Sequence, residues 1–346
     1  MLIPSLSPDE RLPAYVRELL NAGFGLALVV DDGSAAEYQP IFDEIAALPG
    51  CEVLHHEVNR GKGAALRTGY AYIQAHTELR GIITADSDGQ HTVPDTLNLA
   101  AKMDGEEALL LGSRDFSRNS VQVPPKSRLG NRITSFVFRV LYGHWLPDTQ
   151  TGLRAFPREL LDFMLSVGGD RFEYEMNVLI SCAERKVPMI AVPIQTVYHD
   201  ENKGTHFHPI RDSWRIYKLL LGSFFRFMWA SVIAMVADQL LFWLLCLCGL
   251  QIFPATAVAR VCSATLNFLL NKAFVFQLKE CKGAAWRYIL LCVCVMIVSG
   301  TAVNAFTKLL GWHPTPVKII VDTLLFFLNY RIQKAWVFPA ETSAAK

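Results

Sequence analysis

Charge is scarce in this chain of 346 residues: Asp, Glu, Lys and Arg make up 19%, while hydrophobic residues make up 51%. An average soluble domain carries about 25% charged residues. The composition excludes a disordered chain, and 22 glycines with 17 prolines exclude a collagen-like or low-complexity one. Cysteine is sparse, with eight in all, and no metal-ligand spacing links Cys51 with Cys182. Cys246/Cys248 and Cys292/Cys294 are C-x-C pairs inside apolar runs and read as small helix-facing side chains. The first 25 residues hold Asp9, Glu10 and Arg11 and no basic segment leading into an apolar one. No signal peptide is therefore expected, and the N-terminus should stay in the cytoplasm. The P-loop pattern G-x-x-x-x-G-K-[ST] and the dinucleotide fingerprint G-x-G-x-x-G are also missing.

What is present is divided unevenly. Residues 227–346 carry ten Lys/Arg and four Asp/Glu, whereas residues 1–226 carry 23 and 28. A basic, apolar third follows an acidic, mixed two-thirds, as expected of a soluble domain joined to a membrane domain. Four apolar segments lie near 227–249, 255–275, 287–308 and 316–332. The first has one charge, Asp238, in 23 residues, long enough at about 1.5 Å per residue for a hydrocarbon core of roughly 30 Å. Lys272, Lys279, Lys282 and Arg287 sit between segments two and three, and Arg331 and Lys334 follow segment four. The positive-inside rule then places both termini in the cytoplasm with four spans. Before the first span, Arg211, Arg215, Lys218 and Arg226 alternate with Ile210, Trp214, Tyr217 and Phe224, a pattern that suits a helix in the headgroup layer.

An internal repeat with a period of 62 residues runs through the membrane part. Asn267, Lys272, Ala273, Val275 and Phe276 recur as Asn329, Lys334, Ala335, Val337 and Phe338. Two helical hairpins related by pseudo-symmetry follow from it. Arg260 and Asp322 occupy equivalent positions, so an ion pair between them at the shared axis is expected. The pattern resembles the GtrA-like family of four-helix membrane proteins associated with lipid-linked sugars.

The first two-thirds alternate β-branched runs with helical ones. Strands are expected at Met1–Ser5, Phe24–Val30, Cys51–Leu54, Gly81–Ala85, Ala108–Leu111 and Val187–Val197. Ser7, with Pro8 and Glu10, reads as the capped start of the first helix. This is an α/β pattern with a mostly parallel sheet, whose ligands belong beyond the carboxyl ends of the strands. Those positions hold Asp31-Asp32-Gly33-Ser34, Asn59-Arg60-Gly61-Lys62-Gly63 and Asp86-Ser87-Asp88-Gly89-Gln90-His91. Two carboxylates at i and i+2 after a buried strand offer the hard oxygen ligands that Mg²⁺ or Mn²⁺ prefers, with substrate phosphates completing the shell. Gly61 and Gly63 either serve a tight turn or place Lys62 beside a nucleotide.

Together with Ile3-Pro4, Gly112-Ser113-Arg114, Ser127-Arg128, Asn131, Asp148–Phe156 and Tyr198–Phe207, these motifs resemble inverting family 2 glycosyltransferases. The likeness is to polyprenol-phosphate hexosyltransferases of the dolichol-phosphate mannose synthase type, and it covers nearly all of residues 1–210. It implies a GT-A, Rossmann-like α/β catalytic domain over 1–206 and an amphipathic interface region over 207–226. A four-helix transmembrane domain over 227–338 and a tail over 339–346 complete the chain. It further implies transfer of a hexose from a UDP- or GDP-sugar to a polyprenyl phosphate at the cytoplasmic membrane face. A lipid-linked-sugar flippase with a nucleotide-sugar-sensing soluble domain is the alternative. By resemblance Asp86, Asp88 and Gln90 would bind Mg²⁺ or Mn²⁺, and Ser87 would lie with them against the donor. Pro4 and Val30 would line the base pocket, and Asp32 would contact base or ribose. Arg114, Arg128 and Lys203 would bind donor or acceptor phosphates and, with Asp88, carry the catalysis. Leu6 and Ser7 depart from the aromatic-Asn pair common in the family. Glu173 and Glu175 stand where other members keep a base, and here they read as positioning groups. The Q-x-x-R-W signature of processive synthases is absent. No nucleic-acid partner is expected, and a homo-oligomer remains compatible with the sequence.

Overall fold

The computed structural model describes residues 1–103, 105–115, 125–195, 209–277 and 283–339. Lys203 and Tyr198 lie outside them. The chain divides into two compact units, Met1–Leu220 and Leu221–Lys346.

The first unit is built on a seven-stranded sheet. Its strands are β1 (Leu2–Ser5), β2 (Ala27–Asp31), β3 (Cys51–His55), β4 (Gly81–Thr84), β5 (Leu109–Ser113), β6 (Arg154–Pro157) and β7 (Met189–Pro193), in the order β3-β2-β1-β4-β6-β5-β7. All pairings are parallel except those of β6, which runs antiparallel to both β4 and β5. Strands β1, β2 and β5 are buried along their whole length, which is why they read as apolar runs without alternation. The helices are α1 (Leu12–Asn21), α2 (Gln39–Ala46), α3 (Lys62–His76), α4 (Val93–Met103), α5 (Pro125–Tyr142), α6 (Leu161–Ser166) and α7 (Glu173–Arg185). Ile3, Val29, Ile83 and Leu110 of the sheet pack with Val16, Leu19 and Leu99 of the helices into one core.

Two local expectations are corrected. The first helix begins at Leu12, with Pro13 in its first turn and no side-chain cap at Arg11. Ser7 adopts φ 50°, and its N–H donates to Ser34 Oγ at 2.9 Å, so it ties the end of β1 to the loop after β2. Strand β6 was not among the expected strands. It has four residues, begins with a charge and ends in proline. It forms because Arg154 is buried with partners: Nε donates to Thr151 O and Nη1 to Glu175 O.

The second unit is helical. Helix α8 (Pro209–Leu247) is continuous for 39 residues, so no break separates the basic, aromatic stretch before residue 227 from the apolar one after it. Helices α9 (Ile252–Leu270), α10 (Ala284–Leu310) and α11 (Pro314–Ile332) follow. The stretches Tyr217–Leu247, Ile252–Val275 and Ala284–Leu310 are long and apolar enough to cross a membrane. Helix α11, with Lys318, Asp322 and Arg331 in 19 residues, is not among them.

Both α9 and α11 end in a π-helical turn, Asn271–Val275 and Gln333–Val337, and here the repeat becomes spatial. Asn271 and Gln333, 62 residues apart and both buried, hydrogen bond at 3.0 Å. Asn271 Nδ2 also donates to Asn267 Oδ1, and Gln333 Nε2 to Asn329 Oδ1. The equivalent rings of Phe276 and Phe338 stack at 5.1 Å. The expected Arg260–Asp322 pair does not form. Arg260 Nη2 lies 3.5 Å from Asp238 Oδ2, while Asp322 accepts from Lys318 Nζ and Ser299 Oγ, both at 2.6 Å. Each carboxylate finds its partners within its own hairpin or one turn away, and the axis is left to neutral amides.

Candidate active site

The carboxyl ends of β1 to β4 carry the residues singled out by sequence. Pro4 and Val30 are buried register partners at the ends of β1 and β2. Asp31 and Asp32 follow, each paired with a histidine from the end of β3: His55 Nδ1 is 2.9 Å from Asp31 Oδ2, and His56 Nδ1 is 2.8 Å from Asp32 Oδ1. Asp32 also accepts from the backbone N–H of Arg60 and of Gly61, at 2.9 and 2.7 Å. Its buried carboxylate thus holds the loop after β3 with three internal hydrogen bonds, where the family resemblance implied a ligand contact.

That loop places Lys62. Gly61 has φ +103°, and a Cβ on Gly61 would run into the backbone of Asp170, while one on Gly63 would meet Tyr174 and the carbonyl of Gly169. Ala64 N–H donates to Asp170 O at 2.9 Å, and Arg67 binds Gly169 O and Asp170. The loop is therefore clamped against the segment that opens α7, and Lys62 has little freedom except in its side chain. Its Nζ lies 2.6 Å from Asp86 Oδ1 and 3.0 Å from Glu175 Oε2. Burial works against the ammonium, but these two carboxylates overcome it and hold the Lys62 pKa above the ordinary lysine value.

Asp86 and Asp88 sit just beyond β4. Burial disfavours the charge of Asp86, yet Lys62 and His91, whose Nε2 is 3.7 Å away, keep its carboxyl well below the usual range. Asp88 goes the other way, its pKa raised by burial and by the charge of Asp86. Its Oδ1 accepts the Gln90 N–H at 3.0 Å, and Ser87 and Gln90 are half-buried beside it. Room for the Asp86 carboxylate exists only because residue 152 is glycine, since a Cβ there would overlap it. Thr84 Oγ1 fixes that approach by donating to Gly152 O at 3.0 Å. Among the described residues no three His, Cys, Asp or Glu side chains converge. The donor set on offer is two carboxylates and an amide oxygen, the hard ligands that leave positions for phosphate and water.

Arg114, after β5, is held in a fork by Asp148: Nε at 2.6 Å and Nη2 at 3.0 Å from the two oxygens of a fully buried carboxylate. The next loop hangs on Asn131 of α5, which accepts from Thr149 N–H and donates to Pro147 O. Arg128 lies in the first turn of α5. Lys203 is outside the described residues. Glu173 accepts from the N–H groups of Asp170 and Arg171 at 3.3 Å, and Glu175 is occupied by Lys62 and lies 4.0 Å from Arg154. The structure thus joins Asp86, Asp88 and Lys62 in one cluster, with Asp32 setting the loop that carries Lys62. Asp148, Asn131 and Gly152 had no assigned part in the sequence reading beyond their motifs. For Asp148 and Gly152 the signal was the run of polar residues just before a strand too short to recognise.

Comparison with known proteins places the two parts of the chain in families. Residues 12–165 match glycosyl transferase family 2, and residues 226–338 match the GtrA/DPMS transmembrane domain. The chain is 26% identical to glycosyltransferase AglJ of Haloferax volcanii, over 63% of this chain and 69% of that one. It is 26% identical to the UDP-N-acetylglucosamine–dolichyl-phosphate N-acetylglucosaminyltransferase of Methanococcus voltae, over 60% and 89%. To an undecaprenyl-phosphate 4-deoxy-4-formamido-L-arabinose transferase of an Enterobacter species it is 28% identical, over 48% and 50%. The chain joins a glycosyl transferase family 2 domain to a GtrA/DPMS transmembrane domain.

Proposed function

We propose that the protein transfers a hexose, with inversion, from a nucleoside-diphosphate sugar to a polyprenyl phosphate at the cytoplasmic face of the membrane. The observation that carries this reading is the Asp86–Asp88 pair beyond β4, packed with Lys62 in a chain that continues into a GtrA/DPMS membrane domain. Asp86, Asp88 and Gln90 would hold Mg²⁺ or Mn²⁺, for which their hard oxygens are suited. The ion, when bound, supplies positive charge to the leaving diphosphate. Pro4 and Val30 would floor the base site, and Ser87 would face the donor. Arg114, oriented by Asp148, and Arg128 would hold phosphates in line, joined by Lys203.

A lipid monophosphate has a second pKa of about 6 and is already a dianion at neutral pH. It attacks the anomeric carbon without a general base. The engagement of Glu173 and Glu175 in internal contacts supports that reading. Four spans with both termini cytoplasmic complete the proposal. Helix α11 is about 28 Å long at about 1.5 Å per residue, and the positive residues gather at 272–287 and 331–334.

The test is transfer of label from UDP- and GDP-hexoses to undecaprenyl phosphate by the purified full chain. Label should enter the lipid with one donor, be lost in EDTA, return with Mn²⁺ or Mg²⁺, and be abolished by Asp88→Asn with folding intact. Full activity in chelator would end the metal assignment, and no lipid product from any donor would end the reading itself.

A further inference from the structure

Among the described residues Lys62 is the lysine or arginine in direct contact with Asp86, and it is not loosely placed. Its backbone is pinned on both sides by glycines that admit no Cβ, by Asp32 through the N–H of Gly61, and by Asp170 through the N–H of Ala64. Its side chain reaches across to bridge Asp86 and Glu175, from α7, at 2.6 and 3.0 Å. Glu175 is itself steadied by Arg154, whose Nε lies 4.0 Å from Oε1. Three elements far apart in sequence have been brought together to set one ammonium against Asp86.

We propose that Lys62 is a placeholder cation: it neutralises Asp86 before substrate arrives, competes there with the divalent ion, and is released from Asp86 by the nucleoside diphosphate. The inference rests on the metal reading given above. Two cations cannot share Asp86 without repulsion, so the divalent ion alone binds weakly. A diphosphate brings negative charge that accepts the ammonium and frees the carboxylate. Metal and donor then bind cooperatively, and each tightens the other by the same factor. Lys62 is in this sense a positioning residue, acting through Asp86. A purely structural lysine would lower both affinities when lost, whereas a placeholder lowers one and raises the other.

Mn²⁺ binding to the full-length protein, read from the electron paramagnetic resonance signal of free Mn²⁺, tests this with and without UDP or GDP. In the wild type the nucleotide should tighten Mn²⁺ by about tenfold or more, within the usual range of coupling between sites. Lys62→Met should bind Mn²⁺ alone about tenfold more tightly, bind nucleotide more weakly, and lose most of the coupling. Lys62→Arg, which keeps the charge, should stay close to the wild type, and Lys62→Gln provides the same reading as Met if the latter fails to fold. Unchanged or weaker Mn²⁺ binding in the Met or Gln variant, or coupling that survives in it, overturns the proposal. If neither the wild type nor Asp88→Asn binds Mn²⁺ at all, the metal reading has failed, and the placeholder with it.

Discussion

The two units bury polar side chains in different ways. At the sheet edge, charges are clustered and buried carboxylates collect several hydrogen bonds: Asp32 has three, and Asp148 has the Arg114 fork and the N–H of Gln150. In the helical unit the two most deeply buried polar side chains among the described residues are neutral. Asn271 and Gln333 face each other there, while Asp238 and Asp322 each take one serine and one nearby basic residue. The difference follows from supply. Loops at strand ends converge from many directions and offer free N–H groups, whereas helix interiors have spent theirs on their own backbone. A charge can be satisfied in the first setting and is costly in the second.

That contrast predicts its own largest effect. Asp148→Ala leaves the Arg114 guanidinium without its buried fork and should cost about 3–5 kcal/mol. Denaturant unfolding of the purified protein, followed by a probe in the first unit, measures it. Asp148→Asn should cost less, because it keeps the hydrogen-bond acceptor. A loss below about 1 kcal/mol, in the range of exposed ion pairs, would show that the fork is not buried in the sense argued here.

Next in size is the neutral pair. Asn271→Leu strands the Gln333 amide in an apolar setting and should cost about 1–3 kcal/mol. Gln333→Leu should behave alike, and the double variant should lose less than the sum, because neither of the two facing amides is then left without the other. Unfolding in detergent of the two single variants and the double variant closes the cycle. Additive losses would mean that the two amides do not depend on each other.

How far these features could be read beforehand differs between the units for the same physical reason. The strands of the parallel sheet announce themselves as apolar runs, and the motif Asp86-Ser87-Asp88-Gly89-Gln90 is visible because it follows one of them. Strand β6 is hidden: Arg154 and Pro157 are poor strand residues, and only pairing on both sides with β4 and β5 makes them one. The Lys62–Glu175 contact spans 113 residues and depends on the clamp of α3 against α7, so no local pattern announces it. Ser7 had every mark of a helix cap and was taken instead by Ser34, since a tertiary hydrogen bond outweighs a local one. In the membrane part the repeat was legible, while the contacts of its equivalent positions Asn271/Gln333 and Phe276/Phe338 are findings of the structure. The one contact expected from the repeat, Arg260–Asp322, does not form, because charges close the shortest available contact before symmetry has a say.

The smallest effect concerns that failed pair. Asp238 accepts from Ser263 Oγ at 2.8 Å and is 10% exposed, while Arg260, 3.5 Å away, is 72% exposed. The weight should therefore lie on the serine. Ser263→Ala is expected to cost about 0.6 kcal/mol, the measured average for interhelical hydrogen bonds in membranes, and at most about 1.7 kcal/mol. Arg260→Ala should cost less than that, since its guanidinium is 3.5 Å from the carboxylate and the serine hydroxyl is at 2.8 Å. The reversal Arg260→Asp with Asp322→Arg should recover nothing over the two single changes, because those side chains have other partners. Arg260→Asp with Asp238→Arg should recover part of its loss. Thermal unfolding in detergent separates these outcomes. If Arg260→Ala proves more damaging than Ser263→Ala, the helical unit does rest on a buried charge, and the contrast with the sheet edge falls.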